Sequence, residues 1–373
     1  MKIDILTFHC ADNYGAMLQA YALRTRLKQL GYDANLADFA PPYVTWLYWL
    51  IPYAPTRRRI NLHSLRDSYR RTKANVRRFR EFSARRRNMR AFRREKLACP
   101  SWPHLYFDPQ LRVLKGDALV LGSDQIWNPD CTDGLRPAYF GAYKGKNVKR
   151  VVSYAASMGT GSVSADQEPR FRDLLRNVDA ISVREKAAIP FIQSLGREAC
   201  SVVDPTLLLS MADWSAIASK PPRNDPYIYV YLFQQNPVLD DYLTELVRRT
   251  GLPVVAHRSR IARPWRNDVA QDLTAGPSEF LGAIQNARYV ITNSFHGTAF
   301  AAIFHKPFAC IPHITRGQRM LDLLDDLGLS SRLVRPGSAM DIDAPIDWEA
   351  VEARRSELAA KSEAFLQREL ILE

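Results

Sequence analysis

The chain has 373 residues, 46% of them hydrophobic, which excludes a disordered chain and gives enough length for two α/β domains. Its net charge of +13 is local: Arg57–Lys96 holds 17 Lys and Arg against Asp67, Glu81 and Glu95, leaving the rest of the chain at −1, so the basicity belongs to one insertion and not to a nucleic-acid-binding body. Five cysteines stand singly without a CxxC pair, so neither disulfides nor a metal site is expected and a reducing cytoplasm is the natural setting.

The opening MKIDILTFHC lacks a cleavage-site pattern and reads as a first strand, Ile3 to Phe8. A polar turn, His9 to Tyr14, leads into a helix with Ala16, Ala20, Leu23, Leu27 and Leu30 on one stripe, stopped by Gly31. Extended structure resumes at Ala34 to Phe39, giving a βαβ opening and hence a parallel sheet. An insertion, about 41–109, interrupts it. The insertion's apolar tract, Tyr43 to Ala54, is too short to span a bilayer, which needs about 20 residues.

Alternation returns with strands at Asp117–Leu121, Val151–Ala155, Ile181–Val183 and Ser201–Val203. A polar stretch, Lys220–Pro226, reads as a linker. Beyond it, strands at Tyr227–Phe233, Val254–Ala256, Tyr289–Thr292 and Phe308–Ile311 alternate with helices at Leu239–Thr250, Ser278–Asn286, Thr298–Phe304 and Met320–Leu327. A last helix, roughly Trp348–Leu370, presents Val351, Leu358 and Phe365. The expectation is two Rossmann-like parallel-sheet domains facing a cleft: 1–215 with the insertion, and 216–373 with the terminal helix.

Each chemically informative cluster falls just after a predicted strand, at the edge where open α/β sheets bind ligands and helix N-termini favour anions. His9 and Asn13, Ser123 and Asp124, Ser157, Arg184-Glu185, Asp204, and Asn293 to Gly297 are these clusters. No GxGxxG or Walker A loop is present, which disfavours dinucleotide and P-loop chemistry. In YVITNSFHGTAFAA, a strand runs to Asn293, Ser294 and His296, and Gly297 permits close backbone approach. His296 at such an elbow is either a proton donor to the pocket or a structural histidine under the loop. Arg184 is either an anion reader or half of a salt bridge, and Asp124 either a base or the cap of a helix carrying Ile126 and Trp127. Cys10 is expected to be simply buried.

At TFHCADNYGAMLQAYAL (7–23), LVLGSDQIWNP (119–129), VSYAASMG (152–159), ISVREK (181–186), VVDPTLLL (202–209) and TNSFHGTAFAAIF (292–304), the chain resembles the polysaccharide pyruvyltransferase family. The resemblance implies a glycosyltransferase-B-like fold. It also implies transfer of the pyruvate unit of phosphoenolpyruvate across two hydroxyls of a saccharide acceptor, free or lipid-linked, as a ketal, with release of phosphate and no cofactor. It assigns His296 as the acid that protonates the donor's methylene carbon and Arg184 as the arginine that grips the donor's acidic end. Asn293, Ser294 and Gly297 join the donor site. Many members carry Arg where this chain has Ser294, and Arg316 or Arg319 is the expected substitute. His9, Asn13, Ser123, Asp124 and Ser157 are pocket candidates.

Two other functions fit the same features: a nucleotide-sugar glycosyltransferase on the shared scaffold, and a non-catalytic scaffold of a polysaccharide-assembly complex. The insertion, led in by Trp46, Leu47, Trp49, Leu50 and Ile51, suits attachment to an anionic membrane surface at the inner face of the cell membrane. A solvated charged helix pair on the enzyme body, or a dimer contact, fits those residues too. No nucleic-acid partner is expected.

Overall fold

The computed structural model describes residues 1–52, 62–100, 103–233, 236–258, 269–311, 317–335 and 340–371. The chain forms two compact units, the first of 1–73, 90–208 and 358–373 and the second of 74–89 and 209–357. Each is built on one wholly parallel sheet flanked by helices.

The first sheet contains β1 (Lys2–Leu6), β2 (Asp33–Leu36), β3 (Ala118–Leu121), β4 (Arg150–Ala156), β5 (Ala180–Val183) and β6 (Cys200–Ser201), in the order β2-β1-β3-β4-β5-β6. Every residue of β3 is buried, as a parallel strand covered on both faces requires. Its side chains alternate: Leu119 and Leu121 enter a core with Trp127, Phe140 and Phe171, while Ala118 and Val120 face Leu23, Leu27 and the terminal helix residues Phe365, Leu366 and Leu370. The helix Tyr14–Gln29 begins where Asn13 accepts a 3.2 Å hydrogen bond from Ala16 N, so this pocket candidate is a helix cap.

The second sheet contains β7 (Ile228–Leu232), β8 (Val254–Arg258), β9 (Ala270–Asp272), β10 (Tyr289–Thr292) and β11 (Phe308–Cys310), in the order β11-β10-β7-β8-β9. β9 is an edge strand of sequence AQD, whose polarity hides it from a hydrophobic-pattern reading. The two orders differ. The first matches the 2-1-3-4-5 doubly wound type and the second the 3-2-1-4-5 Rossmann type, so strand order reverses between β1 and β3 in one and between β7 and β10 in the other. Among the described residues, no helix is long and apolar enough to cross a membrane.

Candidate active site

At the first reversal point, β1 is followed by Thr7, whose hydroxyl donates to Ser123 O at 2.7 Å and accepts from Gln19 Nε2 at 2.8 Å. This ties the loop after β1 to the loop after β3. Ser123 in turn donates to Asp204 Oδ2 at 3.1 Å, and Arg184 Nη1 donates to the same oxygen at 2.7 Å. The other oxygen of Asp204 accepts from Thr206 N at 3.1 Å and Thr206 Oγ1 at 2.8 Å. Arg184 and Asp204 side chains are 3% and 0% exposed, so this is an ion pair taken almost wholly out of water.

Two more carboxylates surround the guanidinium. Asp124 Oδ1 lies 3.9 Å from Arg184 Nη2, and Glu185, buried, accepts from Ser157 Oγ. Burial alone would lower the Arg184 pKa, but the charges of Asp204, Glu185 and Asp124 outweigh it and hold the group above its ordinary value. Asp124 has φ 82°, a left-handed conformation costly for a residue with a side chain, and Ala155 has φ 52° where the β4–β5 register shifts. Strain of this kind, about 1–3 kcal/mol per residue, concentrates at functional sites. The helix expected after Asp124 does not form. Asp124 accepts from Gln125 N next to it, and Asn128 caps the helix Pro129–Thr132 by accepting from Asp130 N at 2.9 Å.

His9 lies in the loop after β1 with Nδ1 3.1 Å from Thr7 O. Burial, reinforced by the Arg93 charge and only partly opposed by the Thr7 carbonyl, brings its pKa down to about 4, so the ring is neutral near pH 7. Arg93 donates to Cys10 O at 2.8 Å and Asp12 Oδ1 at 2.9 Å, holding this loop from the insertion. Cys10 is buried as expected, and burial pushes its thiol up to about 12.

At the second reversal point the same device recurs with different chemistry. Thr292 closes β10 and donates to Tyr231 O at 2.7 Å, tying it to β7, while Asn293 Oδ1 accepts from Phe233 N at 2.8 Å. Ser294 caps the helix Phe295–Ile303: its Oγ accepts from Gly297 N at 3.3 Å, and its own N donates to Thr292 Oγ1 at 3.0 Å. The helix therefore starts three residues earlier than the sequence pattern suggests, and His296 sits inside its first turn. His296 is half-buried between the buried residues Ser294 and Gly297. The close approach that Gly297 permits is to the strand, since a Cβ there would meet Thr292 Oγ1 at 2.3 Å. Arg319 is half-buried in the first turn of the helix Gln318–Asp326, which follows β11, and Arg316 lies outside the described residues.

The six motifs quoted above thus fall on the carboxyl edges of the two sheets or on the helices that leave them. The model of the family described as Polysaccharide pyruvyl transferase matches residues 13–314. The chain belongs to that family. This pyruvyl transferase family member is also similar, at low identity, to solved structures of known enzymes. The UDP-GlcNAc 2-epimerase of Methanocaldococcus jannaschii in complex with UDP-GlcNAc and UDP is 12% identical, with a TM-score of 0.46 over 96% of this chain and 93% of that one. The glycosyltransferase SnogD from Streptomyces nogalater is 14% identical, with a TM-score of 0.37 over 99% of each chain. No curated protein sequence matches the chain significantly.

Sequence reasoning brought Ser123, Asp124, Ser157 and Arg184 to one network, and Asn293, Ser294, His296 and Gly297 to another. It placed Asp204 and Glu185 among the strand-end clusters but gave neither a role. Asp204, whose two oxygens accept from Ser123, Arg184 and Thr206, is the hub of the first network. Its signal was the aspartate of VVDPT, placed between a strand and a proline.

Proposed function

We propose that this transferase moves the pyruvate unit of phosphoenolpyruvate onto a saccharide as a cyclic ketal, with His296 as the proton donor. The observation that carries the reading is the placement of His296. It stands in the first turn of a helix at the reversal point of the second sheet, on a backbone fixed by Thr292 and Asn293, in a chain whose family is a pyruvyl transferase. A proton moves from the imidazolium to the methylene carbon of the enol ether, making it a methyl group and leaving an oxocarbenium-like centre. One sugar hydroxyl adds to that centre and gives up its proton. The second hydroxyl then displaces phosphate and passes its proton to it, closing the ketal.

The helix N-terminus disfavours a charged imidazole and favours an anion. A bound phosphate or carboxylate of the donor suits that position beside His296. Arg184 is the proposed reader of the donor's acidic end. Because it already holds Asp204, an anion shares the guanidinium with that carboxylate, and the planar fork that Lys lacks is what makes sharing feasible.

The decisive experiment runs the reaction in heavy water with phosphoenolpyruvate and a panel of free and lipid-linked oligosaccharides. Solvent deuterium in the ketal methyl group, with inorganic phosphate released in equal amount, is the expected result. Methyl groups without deuterium, or release of a nucleotide from a nucleotide sugar in place of phosphate, would overturn the reading.

A further inference from the structure

The insertion presents a surface that the transfer reaction does not use. Of the twelve large hydrophobic side chains exposed among the described residues, six fall between Trp49 and Phe79. Within the first unit these are Trp49, Ile51, Leu65 and Tyr69, exposed by 47%, 64%, 54% and 70%. They are held in place and do not dangle. Ser68 Oγ on the helix Leu62–Arg77 donates to Pro52 O at 2.6 Å, and Arg71 donates to Leu47 O at 2.7 Å, so the segment that carries Trp49 and Ile51 is pinned to the helix that carries Leu65 and Tyr69.

Along that helix, Leu65, Tyr69 and Lys73 stand four residues apart and share a face, and the exposed Arg66 and Arg70 lie on the row beside it. Asp67, the acidic residue of this stretch, pairs with Arg70 at 2.6 Å and offsets one of these charges. Residues 57–59, three further arginines in the sequence, lie outside the described residues. An apolar row edged by cations is the composition of a helix that lies in a bilayer interface, with Trp and Tyr at headgroup depth and the cations against acidic lipid. Ile51 and Leu65 decide between anionic partners, because aliphatic side chains gain from acyl chains and have no stacking use against bases.

We infer that Trp49, Ile51, Leu65, Tyr69, Arg66, Arg70 and Lys73 form a docking face for an anionic lipid bilayer, on which the protein lies without crossing it. This attachment is independent of the donor reaction. A saccharide carried on a lipid at the same surface is the acceptor class it would bring within reach.

Flotation of the full chain with vesicles tests it, using phosphatidylcholine alone and phosphatidylcholine with about one-third phosphatidylglycerol, at low and high salt. Recovery on the anionic vesicles at low salt should exceed that on neutral ones at least about tenfold and collapse in about 0.5 M salt. Replacing Arg66, Arg70 and Lys73 together by Gln should weaken partitioning about a hundredfold, at about fivefold per charge. Replacing Trp49 and Ile51 by Ala should weaken it about tenfold or more while the unfolding midpoint stays put. Equal recovery of the wild type on both vesicles, or variants that float like the wild type, overturns the inference. So does binding of RNA through the same residues with anionic vesicles ignored.

Discussion

The two sheets place their chemistry at equivalent points, where strand order reverses, and secure it with the same device, a threonine at a strand end that ties neighbouring loops. Thr7 donates to Ser123 O in the first domain, and Thr292 to Tyr231 O in the second. What they secure differs. The first edge gathers Asp204, Asp124 and Glu185 around one arginine and buries the central pair. The second, at Asn293–Gly297, contains no carboxylate and offers amide, hydroxyl, imidazole and the start of a helix. The first therefore has much of its electrostatics satisfied internally, while the second offers a helix N-terminus with no carboxylate of its own, which favours negative charge. Substitutions at the first should register mainly in stability, and at the second mainly in turnover.

The largest effect tests this contrast directly. His296→Ala should lose about 10²–10⁴-fold in turnover and keep its unfolding midpoint, since a half-buried ring in a helix first turn bears little of the core. Arg184→Ala should do the reverse of a clean binding mutant. It leaves Asp204 charged and buried, a loss of about 3–5 kcal/mol by denaturant titration, so activity of this variant alone says little about the donor. Arg184→Lys keeps the charge and is the better probe: a raised Michaelis constant for phosphoenolpyruvate with modest destabilisation is expected. If Lys leaves the Michaelis constant and turnover unchanged, Arg184 is a structural partner of Asp204 and nothing more.

Acid should affect both domains, because each has a histidine held neutral by burial near the carboxyl edge of its sheet. His9 and His257 are both pulled down to about 4, the latter by burial and Arg85 against the opposing charge of Asp272. Their folded values lie below the ordinary 6.5, so the unfolded chain binds protons first as pH falls. The stability they contribute is fully present above pH 6.5 and is lost progressively on the way to pH 4, at about 1.4 kcal/mol per pH unit for each at most. Urea midpoints between pH 4 and 7 should show this slope, flattened in His9→Gln. An unaltered slope in that variant would mean that His9 takes up its proton in the folded state.

Much of this architecture was readable in advance. Strands such as Tyr289–Thr292 announce themselves as short apolar runs ending in polar residues, and among the described residues ten of the eleven strands overlap an expected one. β9 does not, because an edge strand of Ala, Gln and Asp has no core to face on one side. The site was readable as positions and less so as roles. Nothing in ISVREK says that Arg184 would be met by an aspartate 20 residues on, since ion pairing at a sheet edge depends on which strands become neighbours. Asp124 was open between base and cap for the same reason. The left-handed backbone that denies it a helix follows from pairing with the irregular end of β4, where Asp124 bridges to Ala156.

Gly297 sharpens the comparison at the level of the backbone. Inside a helix Gly→Ala ordinarily gains about 1 kcal/mol, but here the new Cβ would come 2.3 Å from Thr292 Oγ1. That hydroxyl is fixed between Tyr231 O and Ser294 N and cannot move aside without losing the tie that secures the loop. Gly297→Ala should cost about 1–3 kcal/mol and lower turnover as well, by shifting the turn that presents His296. A stabilised or fully active Ala variant would show that the helix can move off the strand without disturbing the histidine.

The smallest effect separates structure from chemistry at one residue. Ser294 stands where the family resemblance implies an arginine, and here its hydroxyl caps the helix of His296. Ser294→Ala and Ser294→Arg both remove the cap, so both should lose about 1 kcal/mol of stability. They differ in charge. Ala should leave the affinity for phosphoenolpyruvate nearly unaltered, because the serine's visible work is the cap. Arg adds a cation at a helix N-terminus, where an anionic donor would share it, so the Michaelis constant for phosphoenolpyruvate should fall several-fold even as the protein becomes less stable. If the Michaelis constant does not fall, the missing charge is already supplied elsewhere on this edge, and Arg319, in the first turn of the helix after β11, is the residue to substitute next. Loss of donor affinity in Ser294→Ala, in contrast, would give the hydroxyl a part in binding that its hydrogen bond to Gly297 N does not reveal.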